Sequence, residues 1–111
     1  METQTCVTMA SVAVLSCAGR LNMAAASALN SSINDLLAAG HTRIVVDLAN
    51  VSSIDSSCLG ALIAGLKKAR HVNGDLRISG AQSAVLAVLS LTNLDRVLPN
   101  HETVELAAAD W

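Results

Sequence analysis

Six residues, Arg43-Ile44-Val45-Val46-Asp47-Leu48, constrain this fold more than any other stretch of the chain. A continuous β-branched run is the pattern of a strand covered on both faces, the kind found inside parallel sheets flanked by helices. The flanking segments carry helical periodicity. Asn22 is a good N-cap, and behind it Ala26, Leu29, Ile33, Leu36 and Leu37 recur at helical spacing, with Ser27, Ser31 and Asn34 opposite. Gly40 closes that helix. A second helix is expected from about Ser56 to His71, with Leu59, Leu62, Ile63 and Leu66 on one stripe. Its adjoining face holds only Cys58, Ala61, Gly65 and Ala69, which permits close packing, and Gly74 reads as its stop.

Turn signals divide the rest. Cys6–Met9 and Val12–Ala18 read as two strands of a hairpin around Ala10-Ser11, ending at Gly19. Leu76–Ser79 reads as a strand, Ser83–Leu91 as a helix, Arg96–Leu98 as a short strand before Pro99, and Glu102–Ala109 as a terminal helix. The order ββαβαβαβα implies an α/β domain with a mixed β-sheet, whose later strands are parallel because helical crossovers join them. At 111 residues the chain fits one domain, residues 1–111 with a core of about 5–109.

Composition narrows the function. Charged residues are 14% and the net charge is −2, with no basic patch, so a dedicated nucleic-acid binder is not expected. Trp111 is the only aromatic, which argues against base-stacking platforms and aromatic-lined pockets. Cys6, Cys17 and Cys58 form no CxxC pair, and His41, His71 and His101 fall in three different connections, so no metal or cofactor is expected. Nothing reads as a signal peptide or a membrane span, and a reducing cytoplasm is the expected compartment. Lys67, Lys68, Arg70 and His71 crowd the end of the second helix, where they complement its dipole.

Enzyme templates fail: there is no GxSxG elbow, P-loop or GxGxxG. Asp47 and Asp55 both fall near the carboxyl end of the third strand, where a carboxylate pair would bind Mg²⁺; a strand end and a helix entrance account for them as well. The most unusual segment is Val51-Ser52-Ser53-Ile54-Asp55-Ser56-Ser57-Cys58-Leu59-Gly60, with four serines and an aspartate between strand and helix. Asp55 or Ser56 caps the helix. One cap needs one residue, and a hydroxyl at a helix start is also a place where an added phosphate meets free N–H groups. Cys58 lies in the same first turn, where a dipole lowers a thiol's pKa; the competing reading is a small residue in a tight place. A thiol enzyme using Cys58 lacks a general base at recognisable spacing.

The segment from Ile44 to Leu62, with Asp47-Leu48 and then Ile54-Asp55-Ser56-Ser57-Cys58-Leu59, resembles the signature of STAS domains, specifically bacterial anti-sigma factor antagonists. The likeness continues through Gly74-Asp75-Leu76-Arg77-Ile78 and Leu91–Pro99, and begins at Ala18-Gly19-Arg20-Leu21-Asn22. It implies a binding protein and not an enzyme. The unphosphorylated form would bind an anti-sigma factor with serine kinase activity and free a sigma factor. Phosphorylation of Ser56, with Ser57 as rival acceptor, would release the complex, and a phosphatase would reset it. The implied partner-binding residues are Asn22, Ser53, Asp55, Ser56, Ser57, Cys58 and Leu59. Cys58 stands where the family usually has Gly, and Asn22 where it commonly has Asp. The alternative on the same fold is a STAS accessory subunit bound to a transporter ATPase.

Overall fold

The computed structural model describes residues 2–9 and 12–109, and the buried run at 44–48 lies in the central strand of a five-stranded sheet. Strand β1 (Glu2–Met9) pairs antiparallel with β2 (Val12–Leu21). From there β2, β3 (Arg43–Ile54), β4 (Asp75–Ser79) and β5 (Asn100–His101) run parallel, side by side in chain order. Helices α1 (Met23–Ala38), α2 (Ser56–His71) and α3 (Ser83–Leu91) lie in the three crossovers, and α4 (Val104–Ala108) follows β5. The turn expected at Ala10-Ser11 lies outside the described residues.

Because the sheet grows in one direction, right-handed crossovers place all three helices on one face. Leu29 and Ile33 of α1, Leu62 and Leu66 of α2, and Val85 and Leu89 of α3 join Leu15, Ile44, Val46, Leu76 and Ile78 in one buried cluster. Val45 points the other way, where it and Val12 pack on Ala107 of α4. Arg77 secures that helix by donating from Nη1 to the Ala107 carbonyl at 2.7 Å. Strand β3 is therefore covered on both faces, as its sequence requires.

Both long helices end in Schellman turns. After α1, Gly40 takes φ +91°, and the His41 N–H donates to the Leu36 carbonyl at 2.9 Å. After α2 the left-handed position belongs to Asn73, at φ +64°, and not to the glycine read as the stop. Gly74 answers a different need. A Cβ there would collide with the Thr42 carbonyl oxygen, which accepts the Asp75 N–H at 2.9 Å where β3 and β4 begin to pair. Gly65 is the close-packing residue of the small-residue face, since a Cβ would lie 3.0 Å from Ile33 of α1.

Four expectations change in the structure. Strand β2 does not end at Gly19; that residue, at φ +82°, pairs with Val51, and pairing continues to Leu21 past a bulge in which β3 carries the extra residue, Ser52. Residues 49–54, read as a polar loop, extend β3 against it, with Val51 and Ile54 buried and Ser52 and Ser53 exposed. The strand expected at Arg96–Leu98 is absent. Leu94–Arg96 forms a 3-10 turn, and pairing with Ile78 and Ser79 falls to Asn100–His101, because Pro99 has no N–H for a ladder. The terminal helix is shorter than expected, since Thr103 caps it by accepting the Leu106 N–H at 3.1 Å.

Candidate functional site

Parallel strands bring their carboxyl ends to one edge, where β2 and β3 turn side by side into α1 and α2. Leu21 and Ile54 are register partners, and the Asp55 N–H donates to the Leu21 carbonyl at 2.9 Å. Asn22 Oδ1 then accepts the Ala25 N–H at 3.2 Å, and Asp55 Oδ1 accepts the Cys58 N–H at 3.1 Å. The cap of α2 is thus Asp55 and not Ser56. The Cys58 thiol donates to the Asn22 carbonyl at 3.2 Å, closing a bridge between the two helix starts.

This frame sets out the hydroxyl groups. Ser53 and Ser56 are exposed, while Asp55 and Ser57 are partly buried. With the cap spent on Cys58, the N–H groups of Ser56 and Ser57 have no acceptor among the described residues. An anion on the Ser56 hydroxyl would meet them and the positive end of the α2 dipole.

Two residues expected to touch a partner do not present side chains to one. Cys58 is fully buried and Leu59 is 3% exposed, because both point from the first turn of α2 into the core. They support the surface from beneath. Conversely, Met23 at the start of α1 is 74% exposed beside Asn22, and sequence reading passed it over. Its signal was phase: Met23 lies off the apolar stripe of Ala26, Leu29 and Ile33.

As an N-cap, Asn22 tolerates its acid. Asn22→Asp keeps the acceptor and adds charge at a helix start that has no acidic residue in its first turn. The expected change in stability is at most about 0.5 kcal/mol, readable by thermal melting.

The environment of Cys58 opposes thiolate chemistry. Burial, with the Asp55 carboxylate adding to it, pushes its thiol up from 9.0 to about 11. Cys17 is pushed up to about 12, by burial first and then by Cys58 and Asp47. Both are free. Burial and the raised pKa both oppose the reactive-thiol reading, and a pH dependence follows. Unfolding lets each thiol ionise near 9, whereas the folded chain holds its protons to about 11 and 12. Stability is thus retained below pH 9 and falls as pH rises above it, by up to about 1.4 kcal/mol per pH unit for each thiol. Denaturant unfolding at several pH values should show this slope, and Cys58→Ala should remove its share.

Asp47 is not a partner for Asp55. It lies in mid-strand, in register with Ser16 and Ser79, and its Oδ1 accepts the Ala49 N–H at 3.0 Å. Seven strand residues lie between it and Asp55, and although β3 is bulged over this stretch the two stand on the order of 15–20 Å apart. No group of three His, Cys, Asp or Glu among the described residues is placed to hold a metal. His71 ends α2 and His101 lies in β5, so only His41 lies in a connection. Lys68 donates to Asn34 Oδ1 at 3.0 Å, and Arg70 pairs with Asp75. Among the described residues, no helix is long and apolar enough to cross a membrane.

A three-helix face on a mostly parallel sheet, with two capped helix starts tied at one edge, defines a small α/β domain. The family described as Mlab, STAS domain, matches residues 7–99, and the chain belongs to the STAS domain family. A Thermotoga neapolitana protein provisionally named an anti-sigma factor antagonist is 35% identical over 74 residues. That match spans 67% of this chain and 66% of the relative, just under two thirds of its length. The crystal structure of a provisionally named Thermotoga maritima antagonist superposes with a TM-score of 0.89 at 29% identity, over 97% of this chain and 92% of that one. An anti-sigma factor antagonist from Mycobacterium paratuberculosis gives 0.87 at 26% identity, over 98% and 92%.

Proposed function

We propose that this chain is an anti-sigma factor antagonist controlled by phosphorylation, acting in the cytoplasm by binding and not by catalysis. Its unphosphorylated form binds an anti-sigma factor that is also a serine kinase, and so frees a sigma factor. Phosphate on Ser56 releases the complex, and a phosphatase restores it. The docking face comprises Asn22, Met23, Ser53, Asp55, Ser56 and Ser57. The observation that carries this reading is the exposed Ser56 in the first turn of α2, beside the Asp55 cap and two N–H groups without acceptors. The names of its relatives support the class of partner.

The test is affinity capture from native lysate with the full chain as bait, followed by kinase assay and phosphosite mapping. Capture of an ATP-binding serine kinase that modifies Ser56 is the expected result. Phosphate confined to Ser57 would move the switch by one residue. Capture of a transporter ATPase without phosphorylation would replace this reading with the accessory-subunit alternative.

A further inference from the structure

At the end of α1 and α2 away from the serines, the last turns of the two helices border a groove of about 540 Å³. His71 stands at the opposite end of α2 from Ser56, roughly 22 Å along the helix axis. Leu37 and Ala38 of α1, with Val72 just after α2, give the groove its apolar floor. That floor is open: Val72 is 48% exposed and Ala38 is exposed as well. A small molecule is held by burying most of its surface, which so shallow a floor does not do. A longer body laid along it is better served, as an amphipathic helix is when it lies in a groove between two others.

The rim has one sign of charge. Lys67, Lys68 and His71 line the groove, and no carboxylate is among the described residues that do. Lys68 meets only the neutral Asn34 Oδ1, at 3.0 Å. The side chains of Lys67 and His71 have no hydrogen bond or ion pair among the described residues. Asp35, beside Asn34 on α1, is exposed and pairs with neither lysine, and Asp75 is engaged by Arg70 and Arg77. The carboxyl ends of the two helices add about half a negative charge each, which offsets only part of the two ammonium groups. Cations flanking an apolar floor are complementary to an apolar stripe flanked by carboxylates.

We propose that this groove docks an acidic amphipathic helix of a partner protein. The apolar side of that helix covers Leu37, Ala38 and Val72, and its carboxylates meet Lys67 and Lys68. At this distance from Ser56 the groove takes a partner of its own, whatever the serine face binds.

The test is selection of helix-forming peptides from a displayed random library on the full chain, followed by amide NMR of the chain with the recovered peptides. These are expected to carry Leu, Ile or Met at i, i+3, i+4 and i+7 with Asp or Glu beside them. Shifts should centre on Leu37, Ala38, Lys67, Lys68 and Val72. Lys67→Glu with Lys68→Glu should weaken the peptides about tenfold or more, and added salt should weaken them too. Lys67→Gln, at a side chain with no partner in the fold, should weaken them several-fold and serves if the double reversal fails to fold. Val72→Ser should weaken them without changing the salt dependence. Recovered peptides without acidic residues, shifts centred elsewhere, or undiminished binding by both lysine variants would overturn the proposal. Concentration-dependent shifts at these residues without peptide would overturn it in favour of a second copy of the chain. Tighter association with phosphatidylglycerol vesicles than with any peptide would overturn it in favour of a membrane surface.

Discussion

Gly74→Ala is expected to lower the unfolding midpoint by roughly 10–20 °C, from a loss of about 3 kcal/mol. The new Cβ would meet a backbone carbonyl, that of Thr42, with no flexible side-chain end to yield. Moving that carbonyl breaks its bond from the Asp75 N–H, where the β3–β4 ladder starts. Ile44 and Leu76, register partners in the core, would shift with it. Gly60 provides the contrast. It lies exposed within α2, and a Cβ there would meet nothing within 4 Å. Gly60→Ala should therefore gain about 0.5–1 kcal/mol from helix propensity alone. Equal melting of Gly74→Ala and the parent chain would contradict the close approach.

Ser56→Asp should weaken binding to the captured anti-sigma factor by about tenfold or more while melting within about 3 °C of the parent chain. Within the domain, added negative charge faces the Ser56 and Ser57 N–H groups, so the fold accepts it. Across a docked surface the same charge must be desolvated beside Asp55, and two adjacent anions oppose association unless the partner neutralises both. Phosphate, at about −1.5 to −2, should act more strongly than the aspartate. Ser56→Ala should bind as the parent does and resist phosphorylation. Titration calorimetry on the three variants separates these effects, and undiminished binding by Ser56→Asp would overturn the switch.

The sequence carried the fold where one physical signal acted alone. The apolar stripes of α1 and α2 and the β-branched start of β3 are of that kind, and Ser56–His71 and Ser83–Leu91 are the observed bounds. It misled where pairing overrode composition. Asn50 and Ser53 are poor strand formers, yet Asn50 pairs with Ala18, and β2 continues past Gly19 so that Arg20 pairs with Ser53. At Arg96–Leu98 the burial of Leu98 was legible, but its irregular backbone was not. In the site, Asn22 and Asp55 were readable as caps because capping is local. The Cys58–Asn22 bond spans 36 positions, and the burial of Leu59 depends on how α2 meets the sheet; neither leaves a local mark.

The strands stand side by side in the order in which they occur in the chain, and that has a consequence for how the domain comes into being. Each strand finds its neighbour already waiting, one helix back, so no early strand must stay unpaired until a distant segment arrives. Pairing in chain order needs only one crossover per added strand, and synthesis from the amino end delivers the pieces in a usable sequence. The hairpin can form first, each strand–helix unit can then settle beside it, and the two-residue β5 arrives last at the far edge. The sheet can be laid down as it is made, from one margin to the other.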